Sequence, residues 1–254
     1  MKEEIVKIKN SKGHNLEGVI STPSVITEKL AILCPGFLDT KDYTHLVMLA
    51  EDLAKIGFTV IRFDPTGTWG SEGDISEYLT SQYLKDIKNV LEYMLKQNNF
   101  SHILLGGHSR GGMVSILYSA QDSRISSVLA VMPSSQRTMV SKRAENWEKN
   151  GYSLNPRDIP ETNGMKEFKV PYSHVIDRKK FDVFADIKKV HVPIIVVAGE
   201  LDKACLPEDV KDLFDQANEP KKFIFMENIG HDYRKNVSEI EKVNKKIISA
   251  VEML

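Results

Sequence analysis

Gly107, Ser109 and Gly111 fall at the G-x-S-x-G spacing of a serine held on a tight turn between a strand and a helix. The flanks suit that reading: Ile103 to Leu105 is apolar and β-like, and Met113-Val114-Ser115-Ile116-Leu117-Tyr118 suits a helix. A sharp turn lifts the hydroxyl out of the sheet, and only glycines tolerate the crowding on either side. At the head of a helix the free N–H groups and the dipole favour developing negative charge, which is what a serine attacking a carbonyl creates. A glycine-rich turn can carry a serine by chance, so the case rests on partners downstream.

Asp202 and His231 are those partners. Gly199-Glu200-Leu201-Asp202 follows the apolar run Pro193 to Ala198, and Glu227-Asn228-Ile229-Gly230-His231 follows Lys222 to Met226. The order serine, acid, histidine, each just past the carboxyl end of an expected strand, is one of the known orders of a catalytic triad. A hydroxyl is a poor nucleophile until a base takes its proton, and an imidazole suits that task; His231 is assigned to it. Asp202 would fix the tautomer of His231 and stabilise its charged form. Glu200 competes for the acid role but sits closer to the strand, so Asp202 is favoured. Pro133-Ser134-Ser135-Gln136, after the preceding strand, offers no carboxylate. The backbone N–H groups of Phe37 and Arg110 are the expected oxyanion donors. His108 reads as a packing residue, and His14, His45, His102, His174 and His191 as structural or surface residues.

The elements that must position these groups are legible in turn. Glu4 to Lys9 and Leu16 to Ser21 alternate apolar and polar residues around Ser11-Lys12-Gly13, predicting an antiparallel hairpin at the sheet edge. Leu30 to Cys34, Phe58 to Phe63, Ser127 to Met132, Pro193 to Ala198 and Lys222 to Met226 read as strands. Between them, His45 to Ile56, Ser81 to Gln97, Pro207 to Ala217 and Asn236 to Val251 read as helices. The alternation predicts an α/β fold with a mostly parallel central sheet and helices on both faces. The Asp64-to-Gly73 loop lacks the Gly-Lys-Ser/Thr ending of a phosphate cradle and is read as a structural turn. Residues 134–190 break the short-loop rhythm, with 12 Lys/Arg against 8 Asp/Glu and the aromatics Trp147, Tyr152, Phe168 and Tyr172. They are read as a cap inserted into a core of 1–133 and 191–254.

Composition narrows the function. The 254 residues are 41% hydrophobic and 27% charged with a formal charge of -1, so no overall field points to nucleic acid. No run reaches membrane-spanning length, the start has no signal-like apolar region, and the expected location is cytoplasmic. Cys34 and Cys205 are too few for a disulfide framework, and no metal or other cofactor is expected. The sequence does not fix the number of subunits and leaves a homodimer open.

Cys34-Pro35-Gly36-Phe37, the Asp64-to-Gly73 loop, Gly107-His108-Ser109-Arg110-Gly111-Gly112, Gly199-Glu200-Leu201-Asp202 with Pro207, and Gly230-His231 together resemble the α/β-hydrolase superfamily across nearly the whole chain. Within it the chain looks most like bacterial cinnamoyl/feruloyl esterase-like and serine aminopeptidase/lysophospholipase-like hydrolases. Asn155-Pro156-Arg157-Asp158-Ile159-Pro160 resembles part of the cap of those esterases. The resemblance implies a carboxylic-ester hydrolase whose inserted cap shapes the pocket. Three positions depart from the pattern: Pro35 stands where a histidine is usual, Trp69 replaces a glycine, and Arg110 replaces Gln or Met. None removes a backbone donor.

The expected function is therefore a serine esterase acting on a small-molecule ester of a small or medium acyl group through an acyl-enzyme. Peptidase, amidase or thioesterase action on the same triad is the alternative, and a non-catalytic binding member of the fold is a third. The side chain of Arg110, with the basic cap, would favour an acidic substrate unless its guanidinium pairs with a nearby carboxylate, which is the favoured expectation.

Overall fold

The computed structural model describes residues 1–25, 27–139 and 142–253, so the expected cap is described without residues 140 and 141. Ten strands and eight α-helices are described. In chain order the first half comprises β1 Lys2–Lys9, β2 Asn15–Thr22, β3 Lys29–Cys34, α1 Thr44–Lys55, β4 Phe58–Phe63, α2 Thr80–Gln97, β5 His102–His108, α3 Arg110–Ser119 and β6 Ser127–Val131. After them come α4 Lys142–Asn150, β7 Tyr152–Asp158, β8 Met165–Pro171, α5 Ser173–Arg178 and α6 Val183–Asp186. The chain ends with β9 Ile194–Gly199, α7 Pro207–Asp215, β10 Lys221–Met226 and α8 Val237–Val251. Among the described residues no helix is long and apolar enough to cross a membrane.

Eight strands form one sheet in the order β1-β2-β4-β3-β5-β6-β9-β10. The β1–β2 hairpin lies at one edge and joins β4 antiparallel, while every other pairing in this sheet is parallel. Every residue of β4, β6 and β9 is buried, which is why these strands are continuous apolar runs rather than alternating ones. Successive side chains go to opposite faces. In β3, Leu30, Ile32 and Cys34 join the core under α2, α3 and α7, whereas Ala31 and Leu33 join the core under α1 and α8. Each such leucine or isoleucine contributes about 1.5–3 kcal/mol.

The helices follow their sequence stripes. Tyr83, Leu84, Ile87, Val90, Leu91 and Met94 of α2 are all buried, as their helical spacing requires. Pro207 opens α7, where its missing N–H has no intrahelical acceptor to lose. Asn236 caps α8, its side-chain oxygen accepting from the amides of Ser238 and Glu239.

Parallel pairing puts the carboxyl ends of the central strands on one edge. Cys34 is opposite Gly107, His108 opposite Val131, Val131 opposite Val197, and Met226 opposite Gly199. The loops that follow, carrying Phe37, Ser109, Ser134, Asp202 and His231, therefore converge. Backbone strain gathers there too: Leu38, Ser109, Met132 and Asn228 are non-glycine residues with positive φ.

Between β6 and β9 the chain leaves the sheet as α4, the antiparallel β7–β8 hairpin, α5 and α6. No element boundaries are legible in the sequence here, because Pro156 and Pro171 interrupt the strands; a proline is tolerated in a two-stranded ribbon whose edges are free. This excursion is tied back to the sheet edge. Arg157 Nη2 donates to the carbonyl of Phe37 at 2.8 Å, and the Tyr43 hydroxyl to that of Asp158 at 2.9 Å. Arg234 grips Asp158 with two bonds of 3.0 and 2.9 Å.

Candidate active site

Ser109 sits between β5 and α3 with φ 56° and ψ −116°, a backbone conformation a serine adopts only when its surroundings impose it. Its amide donates to the carbonyl of Val131 at 2.8 Å, and its carbonyl accepts from Met113 and Ser134 at 3.1 and 3.0 Å. Backbone is packed directly beneath the turn. A Cβ at Gly107 would lie 2.2 Å from the carbonyl oxygen of Cys34, and one at Gly111 only 1.9 Å from the same oxygen. The two glycines are there because β3 leaves no room for a side chain.

His231 lies between the other two polar groups, with Nε2 3.0 Å from Ser109 Oγ and Nδ1 2.7 Å from Asp202 Oδ2. An ionised carboxylate only accepts, so Nδ1 carries a proton toward Asp202, and in the neutral ring Nε2 is the unprotonated nitrogen that faces the serine hydroxyl. The other oxygen of Asp202, Oδ1, accepts from the amides of Ala204 and Cys205 at 2.8 and 2.7 Å, which fixes the carboxylate. Burial pulls the His231 pKa down, but the bond to Asp202 and the adjacent Cys205 thiol outweigh it and raise it above the ordinary histidine value. Glu200 takes no part in this chain of bonds: it accepts from the Asn228 amide at 2.8 Å and braces the loop after β10.

A cavity of about 310 Å³ opens over Ser109, with Phe37, Arg110, His174, Trp147, Arg178 and His231 in its wall. The Arg110 amide is the first N–H of α3 and has no intrahelical acceptor. Gly36 allows the neighbouring loop to fold tightly, since a Cβ there would lie 2.5 Å from Asp39 Oδ2. Trp147 and Phe168 are buried, whereas Tyr152 is exposed beside Lys169.

The side chain of Arg110 corrects the expectation that it pairs with a carboxylate. It is fully buried and lies against rings, its guanidinium carbon 4.0 Å from the centre of Tyr78 and 5.6 Å from that of Tyr83. Of its two readings, structural or surface, His174 takes the structural one: it is buried and stacks on Trp147 with planes 9° apart, and it also lines the cavity. His108 packs as expected, yet its ring is 4.6 Å from that of His231. Asp39, Arg157 and Arg178 reach the cavity without having been singled out. Asp39 could have been noticed from its place two residues after Phe37; Arg178 lies in a segment with no periodicity to place it.

Among the described residues two sets of side chains have the types and closeness to hold a metal ion: Asp39 with His45 and His108, and Asp202 with Cys205 and His231, their ligand atoms within 4.8 Å of one another. In the first set all four imidazole nitrogens lack a hydrogen-bond partner, and burial takes His45 down to about 3, so its ring is neutral and able to ligate. In the second, the same histidine nitrogens already serve Asp202 and Ser109.

Comparison with known proteins matches residues 30–152 to a family described as the alpha/beta hydrolase fold. The chain superposes on ferulic-acid-bound Est1E from Butyrivibrio proteoclasticus with a TM-score of 0.80, at 23% identity and covering 98% of each chain. The chain has the α/β-hydrolase fold. A second α/β-hydrolase structure, GrgF from Penicillium sp. sh18, matches with a TM-score of 0.82 at 19% identity, covering 97% of each chain. In sequence, the polyketide transferase grgF of Penicillium sp is 24% identical over 242 residues, 79% of this chain and 80% of that one. An uncharacterized 31.7 kDa Escherichia coli protein from the traX-finO intergenic region is 24% identical over 236 residues, 80% of this chain and 82% of its own. In this fold the order of Ser109, Asp202 and His231 along the sheet edge is the order of strands β5, β9 and β10.

Proposed function

We propose that this protein is a serine esterase that cleaves carboxylic esters of small or medium acyl groups. The observation that carries the reading is the continuous chain of bonds from Asp202 through His231 to Ser109, 2.7 and 3.0 Å long, at the floor of a 310 Å³ cavity. Ser109 Oγ attacks the ester carbonyl while His231 Nε2 takes its proton. Asp202 keeps the imidazole in the working tautomer and stabilises it when charged. The carbonyl oxygen becomes an oxyanion facing the amides of Phe37 and Arg110, and loss of one such donor typically costs about 3–4 kcal/mol. Collapse of the tetrahedral species breaks the bond to the alcohol, which leaves with the proton from His231. Water then attacks the acyl-enzyme with His231 again the base, releasing the acid and restoring Ser109.

Residues 134–190 serve as a cap in this account: Trp147, Arg157, His174 and Arg178 come from them and close the cavity over the nucleophile. A cytoplasmic setting belongs to the same proposal, supported by two cysteines that are free and buried. The likeness to polyketide transferases supports a second reading, acyl transfer, in which an acceptor other than water takes the acyl group from Ser109. Short-chain para-nitrophenyl esters test the first reading: wild type releases nitrophenol catalytically and Ser109→Ala does not. Equal rates in the two would refute it, and an acyl-enzyme that forms but turns over only when an alcohol or amine is added would favour transfer.

A further inference from the structure

The cavity over Ser109 is lined by four arginines, Arg110, Arg157, Arg178 and Arg234, against two aspartates, Asp39 and Asp232. The aspartates sit with two of them. The charge of Arg157 acts on Asp39, and Arg234 Nε is 3.8 Å from Asp232. Arg234 also holds Asp158 in a fork. Arg110 and Arg178 are left over, and among the described residues neither forms an ion pair with a carboxylate.

Their surroundings make that unusual. Arg178 is 8% exposed, and its Nη2 donates only to neutral acceptors, Ser134 Oγ at 3.2 Å and the Ser135 carbonyl at 2.8 Å. Arg110 is 0% exposed, and its Nε and Nη2 have no acceptor. Its Nη1 lies 3.4 Å from His174 Nδ1. That nitrogen is itself 2.7 Å from the carbonyl of Tyr78, which can only accept, so His174 Nδ1 carries a proton and is a donor. Burial and the Arg110 charge hold the His174 pKa well down, so the ring has no second proton to rearrange and Nδ1 accepts nothing from Arg110. Among the described residues the guanidinium of Arg110 therefore has no hydrogen-bond acceptor and is held by the faces of Tyr78 and Tyr83. Cation–π contact offsets only part of what burial of an unpaired charge costs.

Two such cations next to one another repel. Burial and the neighbouring Arg110 bring Arg178 down to about 10, which leaves it charged at neutral pH. A fold that keeps both lacks a negative charge that something else supplies.

We propose that Arg178, with Arg110 behind it, is an anion subsite, and that the ester this protein cleaves carries a carboxylate on one of its two halves. The inference rests on the serine-esterase reading for the identity of the reacting bond. Arg178 is the contacting group, able to present a planar fork to a carboxylate. Arg110 is sealed from solvent between its tyrosines and acts through its field, which a low-dielectric wall screens weakly. Phe37 and Trp147 supply the apolar wall for the carbon skeleton.

The test uses two pairs of esters matched in shape. Mono(para-nitrophenyl) glutarate against para-nitrophenyl pentanoate places the charge on the acyl half; para-carboxyphenyl acetate against para-tolyl acetate places it on the alcohol half. Wild type is expected to favour the charged member of one pair by about tenfold or more in kcat/KM. Arg178→Met should lose that preference and Arg178→Lys recover part of it, with Arg178→Gln taking the place of Arg178→Met if the latter melts early. Preference for the neutral member in both pairs, or a preference untouched by the Arg178 variants, overturns the subsite. Binding separates this claim from the hydrolytic one: Ser109→Ala is titrated calorimetrically with monomethyl glutarate, methyl pentanoate, para-carboxyphenyl acetate and para-tolyl acetate. A protein that cleaves neutral esters yet binds no charged member more tightly retains the esterase reading and loses the subsite. One that cleaves neither pair, yet binds a charged member through Arg178, retains the subsite and loses the esterase reading.

Discussion

The carbonyl oxygen of Cys34 occupies the space where Gly111 would carry a Cβ, 1.9 Å from the atom an alanine would add. The turn that carries Ser109 is thus built against the backbone of β3, which cannot move without breaking its pairing with β5. Gly111→Ala is expected to cost more than about 3 kcal/mol in urea unfolding, or to prevent folding. Gly151 is the contrast. An added Cβ there meets nothing within 4 Å, so Gly151→Ala should lose only the roughly 1–2 kcal/mol of a positive φ.

His231 gives a pH dependence with a definite sign. Its pKa is raised above 6.5 by Asp202 against the opposing effect of burial, and the base must be neutral to act. kcat/KM should therefore climb with pH through a midpoint above 6.5, and Asp202→Asn should lower the plateau by about 10⁴-fold. Stability runs the other way. The bond between His231 and Asp202 stabilises fully below the unfolded value of 6.5 and is lost as pH rises through the folded value. The melting difference between wild type and Asp202→Asn should thus be largest at or just below pH 6.5 and shrink at alkaline pH, which scanning calorimetry would read.

Glu200 separates the two acids near the end of β9. Its carboxylate bonds the Asn228 amide rather than His231, so Glu200→Gln should leave kcat/KM within about twofold in an ester assay. A loss comparable to that of Asp202→Asn would mean the acid had been assigned to the wrong residue.

Asp158 tethers the inserted segment, receiving both bonds of the Arg234 fork and, on its carbonyl, the Tyr43 hydroxyl. Asp158→Ala should loosen residues 134–190, seen as faster limited proteolysis within them, with a rise in KM larger than the fall in kcat. Because the Asp158 side chain is 46% exposed, little change in global stability is expected.

What could be read from the sequence follows a physical line. Strands buried on both faces, such as Phe58–Phe63 and Ile194–Gly199, carry their signal in consecutive residues, and the α2 stripe carries its own in helical spacing. Chain order was enough to single out Ser109, Asp202 and His231, because parallel strands bring their carboxyl ends to one edge. The inserted segment was harder. The β7–β8 hairpin has one buried residue in β7 and two in β8, and prolines interrupt both, so no period marks it. The partner of Arg110 is not legible in the sequence because Tyr78 and Tyr83 arrive from the start of α2 and the loop before it, a proximity that only the folded chain creates. His174 and Arg178 reach the site for the same reason.

The central claim is that His231 makes the Ser109 hydroxyl a nucleophile. Mass spectrometry after brief exposure of the native protein to a fluorophosphonate tests it most directly. The account expects a single adduct on Ser109 in wild type, none in Ser109→Ala, and strongly slowed labelling in His231→Ala with the fold intact by circular dichroism. No adduct in wild type, or labelling of Ser109 at the same rate without His231, would contradict it.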